Sequence, residues 1–205
     1  MTQQARFITL EGIDGAGKSS HINSIKHWIT QRGVDLVTTR EPGGTPFGEY
    51  LRSLVLHEKM DVMSETLIMF AARNEHIKQV IEPALKAGKW VLSDRFTDAS
   101  FAYQGGGRQI PWDVLNTLTQ WVEARVPDLT LLFDLDPAIA RQRVSQVSPQ
   151  PDRFEQEQAH FFNRVREAYL QRARDYPERI VVVNSAIELS QLNACVMAIL
   201  NERLW

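Results

Sequence analysis

Gly12-Ile13-Asp14-Gly15-Ala16-Gly17-Lys18-Ser19 follows directly on the apolar run Phe7-Ile8-Thr9-Leu10 and fits the phosphate-loop pattern G-x-x-x-x-G-K-[ST]. Few short motifs constrain a fold as tightly. Glycines let the backbone wrap an anion with its N–H groups, and the helix that follows aims its positive end inward. Lys18 adds a mobile cation, and Ser19 supplies a hydroxyl for Mg²⁺. The required context is present as well. A strand-like run precedes the loop; after it Ile22, Ile25, Trp28 and Ile29 recur at helical spacing until Gly33 stops them.

Beyond the loop, short β-rich runs alternate with longer helical patterns, which predicts an α/β fold: a five-stranded parallel sheet with helices on both faces. Strands are expected at 6–10, 35–39, 90–93, 129–134 and 180–184, and helices at 18–32, 46–57, 63–87, 112–125, 138–145, 155–176 and 188–203. Asp136 before Pro137 reads as an N-cap with the favoured first-turn proline. At 205 residues, with 43% hydrophobic and 23% charged side chains, the chain suits one domain over 1–205. A net charge of −2 gives no electrostatic footprint for nucleic acid or an anionic membrane. An anionic ligand must then be held by locally placed arginines. Cys195, the one cysteine, excludes an internal disulfide; among Leu192, Val196, Ile199 and Leu200 it is expected to be buried. With no signal-peptide core and no apolar run of membrane-spanning length, the expected location is the cytoplasm.

Chemistry-bearing residues gather at the predicted strand ends, where ligands of open α/β sheets bind. Asp94 closes the run Trp90-Val91-Leu92-Ser93 and can hold Mg²⁺ or its water shell, while Arg95 can grip a phosphate in a planar fork. Asp14, inside the loop, would be repelled by a polyphosphate unless it faces the metal or a sugar hydroxyl, or is a turn residue caught by its own backbone. Arg40-Glu41-Pro42-Gly43-Gly44-Thr45 marks a tight turn after the second strand. Arg52, Phe70 and Arg73 fall in helical patterns, where Phe70 has core-like spacing with Leu67 and Ile77. Three consecutive glycines in Ser100-Phe101-Ala102-Tyr103-Gln104-Gly105-Gly106-Gly107-Arg108 imply an unusual backbone geometry or a close contact. Finally, the polar stretch 145–152 lies between Arg141 and Arg143 on one side and Arg153 on the other. It reads equally as a lid over a transferring group or as a plain surface loop.

Taken together, these runs resemble the thymidylate kinases of bacteria, phosphate-loop nucleoside monophosphate kinases that convert dTMP to dTDP with ATP and Mg²⁺ on the route to dTTP. The likeness spans most of the chain and rests above all on Arg40-Glu41-Pro42-Gly43-Gly44, Asp94-Arg95-Phe96, Tyr103-Gln104-Gly105-Gly106-Gly107-Arg108 and Asp152-Arg153-Phe154-Glu155. It implies that Gly12 through Ser20 bind ATP and that Ser19, Asp94 and Asp14 surround the metal. Phe70 is implied as the stacking platform for thymine, Arg73 as the donor to its carbonyl, and Ser100 and Gln104 as base-edge contacts. Tyr103 would lie near the sugar C2′, Arg95 and Arg52 would clamp the dTMP phosphate, and Arg40 and Glu41 belong to the same substrate site. A homodimer is implied too; helices 46–57, 63–87 and 112–125 are candidates for its interface, although ordinary core burial explains their apolar faces equally well.

Two patterns exist in such kinases: an arginine inside the phosphate loop, or glycine there with extra arginines in the lid. Gly15 places this chain with the second. Yet Ser145-Gln146-Val147-Ser148 stands where relatives often continue with arginine, so the catalytic cation is expected from Arg143 or Arg153, with Arg141 third. A kinase with a different acceptor is the nearest alternative. A guanine-nucleotide switch is disfavoured because no Asn-Lys pair, the start of the usual guanine reader, occurs in the chain.

Overall fold

The structure is a computed structural model that describes residues 4–122, 125–147 and 152–205. Five strands form one parallel sheet: β1 (Phe7–Glu11), β2 (Leu36–Arg40), β3 (Trp90–Asp94), β4 (Leu129–Asp134) and β5 (Ile180–Asn184), in the order β2-β3-β1-β4-β5. The three central strands, β1, β3 and β4, are apolar runs buried along nearly their whole length, whereas edge strands β2 and β5 expose part of theirs. That is the pattern demanded when helices cover both faces of a sheet and solvent reaches only its edges.

Covering the sheet are α1 (Lys18–Thr30), α2 (Pro46–His57), α3 (Val62–His76), α4 (Glu82–Lys86), α5 (Thr97–Ser100), α6 (Trp112–Trp121), α7 (Pro137–Val147), α8 (Ala159–Asp175) and α9 (Leu189–Leu204). Asp136 caps α7 as expected, accepting from Ala138 N at 2.8 Å. The helix expected over 63–87 is interrupted by a wide π-type turn at Ile77–Ile81, in which Glu82 N–H reaches back to Ile77 O. Pro83 opens α4 immediately afterwards. Because proline has no N–H and crowds the preceding turn, the wider turn absorbs the mismatch.

The three consecutive glycines, expected to mark an unusual backbone geometry or a close contact, lie in a second π-type segment, Phe101–Gly107, which follows α5. The glycines there serve close approach: a Cβ on Gly106 would stand 2.6 Å from Ala168 Cβ and Arg164 O, and α8 would be pushed away. Arg164 instead donates to Gly106 O at 3.1 Å and Gly107 O at 2.7 Å. Helix α8 begins at Ala159 and not at 155, since Asp152 Oδ1 ties Phe154 N and Glu155 N into a turn. Helix α6 stops at Trp121, and residues 123–124 lie outside the described set. Cys195 is exposed: Leu192, Val196 and Leu200 take the buried stripe of α9 and turn it outward.

Candidate active site

Every parallel strand delivers its carboxyl end to one edge of the sheet, which gathers the phosphate loop after β1, Glu41 after β2, Asp94 and Arg95 after β3 and Ser185 after β5. Lys18 begins α1, and its Nζ donates to Gly12 O at 2.9 Å and Ile13 O at 3.1 Å. Burial, then the nearby Arg95 guanidinium, pull the Lys18 pKa below its ordinary value, and Asp14 works against them. Gly15 has φ +81°, and a Cβ there would meet Ala140 O on α7 at 2.4 Å. With α7 so close, the loop itself has no room for an arginine at this position.

Arg143 of α7 approaches Gly15 from outside the loop. Its guanidinium donates to Gly15 O at 3.4 Å and Ser185 O at 3.2 Å, bridging the phosphate loop and the loop after β5. Beside it opens a cavity of about 450 Å³ whose walls include Lys18, Ser19, Ser20 and Asp94, with Val144, Ile187 and Leu192 as an apolar end. Arg153 behaves differently. Its Nε donates to Val55 O at 3.0 Å and its Nη2 to the buried Glu65 Oε2 at 2.6 Å, so it fastens the lid base to α2 and α3. Arg141 is exposed on α7, and residues 148–151 of the expected lid, Ser148 among them, lie outside the described residues.

Asp94 Oδ1 is buried and has no hydrogen-bond partner among the described residues, and Ser19 shares the cavity wall with it. No group of three or more His, Cys, Asp or Glu side chains able to hold a metal occurs among the described residues. One carboxylate with one hydroxyl suits Mg²⁺ that keeps phosphate and water for its other positions, and would not suit a metal held wholly by protein.

Asp14, in the wall of the same cavity, faces two cations. Arg95 Nη2 donates to its Oδ1 at 2.6 Å, and Lys18 Nζ lies 3.9 Å from the same oxygen. Burial would raise this carboxyl, but Arg95 and then Lys18 outweigh it and hold the pKa at about 2. Arg95 itself sits at φ +69°, a region costly for a side chain with a Cβ. It also donates to Gly12 O at 3.0 Å and Tyr169 Oη at 3.3 Å, and lies over the Tyr103 ring. Tyr169 in turn donates to Glu11 Oε2 at 2.8 Å, while Phe96 N–H donates to Glu11 Oε1 at 2.7 Å. Burial, then the Asp98 carboxylate, push Glu11 up to about 8.

A second cleft of about 200 Å³ lies on the other side of the Asp14–Arg95 pair. Both cavities have Asp14 in their walls. Arg52, Glu41, Tyr103 and Gln104 line the second cleft, with Arg52 Nη1 donating to Pro42 O at 3.0 Å. Tyr103 Oη stands 3.5 Å from Asp14 Oδ2. Arg73 is 1% exposed behind this wall; it donates to Glu41 Oε2 at 2.8 Å and to Phe96 O at 3.2 Å, which leaves Nη1 without a partner among the described residues. Ser100 Oγ and Gln104 Oε1 are likewise buried and without a partner among the described residues; Gln104 lines the cleft, whereas Ser100 does not.

Phe70 and Arg40, like Arg73 and Ser100, are not among the residues lining the cleft. Phe70 is 2% exposed and packs with Phe101, Leu115 and Leu118, as its core-like spacing suggested; the cleft wall carries its neighbour Met69 instead. Arg40 extends into solvent and pairs with Glu49 at 2.8 Å.

The chain is similar to known proteins along nearly its whole length. The family model for thymidylate kinase matches residues 10–194. A thymidylate kinase of Paraburkholderia xenovorans is 53% identical over 194 residues, covering 92% of this chain and 94% of that protein. One of Methylobacillus flagellatus is 54% identical over 200 residues, covering 97% and 98%. The chain belongs to the thymidylate kinase family. In three dimensions it is also similar to the crystal structure of thymidylate kinase from Ehrlichia chaffeensis, with TM-score 0.79, 32% identity and coverage of 96% of this chain and 98% of that one.

For this member of the thymidylate kinase family, the residues at or beside the clefts that the sequence did not single out are Met69, Glu11, Glu65 and His76. Met69 carried a usable signal: it lies four residues before Arg73, on the helix face that meets the cleft, whereas Phe70 is rotated away. Glu65 and His76 carried none, because their meaning lies in distant partners. His76 is fully buried, with Nδ1 2.9 Å from Glu41 Oε1 and Nε2 2.6 Å from Thr39 Oγ1.

Proposed function

We infer that the chain transfers the γ-phosphoryl group of ATP to dTMP, giving dTDP and ADP. The observation that carries this reading is that the phosphate-loop cavity and the Gln104 cleft share Asp14, with Arg95 bonded to it. Donor and acceptor phosphates bound in the two cavities would meet there. The buried, unpartnered Arg73 Nη1, Ser100 Oγ and Gln104 Oε1 support a polar heterocycle in the second cleft, because buried polar atoms are rarely left unsatisfied.

The chemistry follows from charge. The attacking dTMP phosphate oxygen is already anionic at neutral pH, so no general base is required. What remains is alignment and relief of like-charge repulsion. Lys18 supplies a cation at the β- and γ-phosphates, Arg95 with Arg52 holds the acceptor phosphate, and Arg143 is placed at Gly15 to reach the transferring group. Asp14 keeps Arg95 in place and offers its remaining acceptor capacity to the acceptor sugar. Mg²⁺, bound by Ser19 and Asp94, would neutralise and orient the triphosphate. The apolar end formed by Val144, Ile187 and Leu192 suits the adenine ring.

The homodimer belongs to the same reading. Helices α2 and α3 expose Phe47, Tyr50, Met63 and Leu67, and Trp121 at the end of α6 is 76% exposed. Such apolar faces favour a second copy of the chain. Sedimentation showing only monomer at micromolar concentration would refute it. No helix among the described residues is long and apolar enough to cross a membrane, and we place the reaction in the cytoplasm.

The deciding assay offers ATP with dTMP, dUMP, dGMP, dCMP and thymidine as acceptors. Preference for dTMP is expected, and a high rate on a purine monophosphate overturns the assignment.

A further inference from the structure

Glu65 projects from the first turn of α3 and is 1% exposed. Its Oε1 accepts from Gln104 Nε2 at 2.8 Å; its Oε2 accepts from Arg153 Nη2 at 2.6 Å and lies 3.3 Å from Arg108 Nε. A carboxylate held between two guanidinium groups can only accept hydrogen bonds. The Gln104 amide therefore has one permitted orientation. Turning it over would set its carbonyl against the Glu65 carboxylate, two acceptors with no hydrogen between them. With Nε2 committed to Glu65, Oε1 is left buried and unpartnered among the described residues, on a side chain that lines the acceptor cleft.

We propose that Glu65 is a positioning residue for base selection: by fixing the Gln104 amide it presents a carbonyl that accepts only from a pyrimidine bearing an N3–H. The proposal rests on the reading of this cleft as the dTMP site. Thymine and uracil carry that hydrogen. Cytosine presents a lone pair at N3, which would face the Gln104 carbonyl without a hydrogen and leave both acceptors desolvated. Hydrogen-bonding sites reject the wrong partner strongly for this reason. A free glutamine could turn its amide over and serve either base; the bond to Glu65 removes that choice. The same carboxylate holds Arg153, whose backbone N–H also reaches Leu56 O at 3.2 Å, so the wall that reads the base and the base of the lid share one anchor.

The test is Glu65→Gln, whose amide can donate or accept and so frees Gln104 to turn. Steady-state rates are measured with dTMP and with dCMP. Expected is a fall in kcat/KM for dTMP of about tenfold or more, carried mainly by KM, with no matching fall for dCMP, so that the dTMP/dCMP ratio drops. Equal loss on both substrates, with the ratio unchanged, overturns the proposal and leaves Glu65 a purely structural anchor. Should Glu65→Gln not fold, Gln104→Met removes the carbonyl while Glu65 keeps Arg108 and Arg153. It must lower the same ratio, and an unchanged ratio again overturns the proposal. Arg153→Ala serves as the control: it cuts the lid anchor but leaves the Glu65–Gln104 bond, so the ratio should hold. A drop as large as that of Glu65→Gln would refute amide positioning. Failure of the dTMP assignment itself is recognised separately, by absence of dTMP turnover in the unaltered enzyme.

Discussion

Arg95 Nη2 and Asp14 Oδ1 are 2.6 Å apart, so the carboxylate of the phosphate loop and the guanidinium at the end of β3 are already joined where the two cavities meet. In the proposed reaction this pair lies where the two phosphates would approach. Arg95, in a left-handed backbone conformation with φ +69°, also lines the second cleft.

Asp14→Asn should lower kcat/KM for dTMP by roughly 10–100-fold, because a neutral amide holds the guanidinium less firmly than a carboxylate. The pH dependence has a definite sign. A pKa lowered from 3.8 to about 2 means that the stability contributed by ionised Asp14 is present above pH 3.8 and is lost as pH falls toward 2. No acid limb in kcat/KM at pH 5–6 should therefore trace to Asp14. A limb there that vanishes in Asp14→Asn would contradict this.

Lys18→Ala should reduce turnover far more than it weakens dTMP binding, since the ammonium lies among the loop carbonyls of the donor cavity and outside the acceptor cleft. Pre-steady-state rates alongside equilibrium dTMP titration separate the two effects. Equal losses would remove the role.

Met69 and Phe70 should divide stability from binding. Phe70→Ala empties a packed site among Phe101, Leu115 and Leu118 and should cost about 3–5 kcal/mol of folding stability. Met69→Ala should instead raise KM for dTMP, as it strips the apolar wall of the cleft. Urea unfolding and initial-rate kinetics on both variants decide the matter. A Phe70→Ala enzyme with unchanged stability and lost dTMP affinity would overturn this division and assign the stacking role to Phe70.

Arg143→Ala should lower kcat by about 10²–10³ with little change in KM for dTMP, as expected when a donor to developing charge is removed. Arg153→Ala should act chiefly on melting temperature, because it deletes an ion pair with buried Glu65. Restoring a cation by Gly15→Arg in the Arg143→Ala background should fail, given Ala140 O 2.4 Å from the position of a Cβ. Recovery of turnover in that double variant would show that α7 moves aside.

Glu11 gives a stability signature. Its pKa is raised from 4.5 to about 8, so the folded state keeps a proton that the unfolded chain has lost. The stabilisation is complete below pH 4.5 and disappears as pH rises through about 8. Glu11→Gln keeps the shape and cannot ionise. The melting temperature of the unaltered protein should therefore fall relative to this variant between pH 5 and 8.5, with each 1 kcal/mol moving it by about 2–4 °C in a chain of this size. A pH-independent difference would assign the burial no such effect.

Sequence alone was enough for the phosphate loop, all five strands and the family, because each is written in contiguous residues: a glycine spacing, an apolar run, a strand-end Asp94-Arg95. Roles that depend on which distant side chain stands opposite could not be read that way. Glu65 meets Gln104 across 39 residues and Arg153 across 88, and no local pattern records either meeting. That Met69 and not Phe70 lines the cleft follows from a rotation of one residue around α3, and that Arg143 stands at Gly15 while Arg153 stands at Glu65 follows from tertiary packing. Folding decides such placements because packing assigns each buried polar group its partner, and partners brought together by the sheet's crossovers are far apart along the chain.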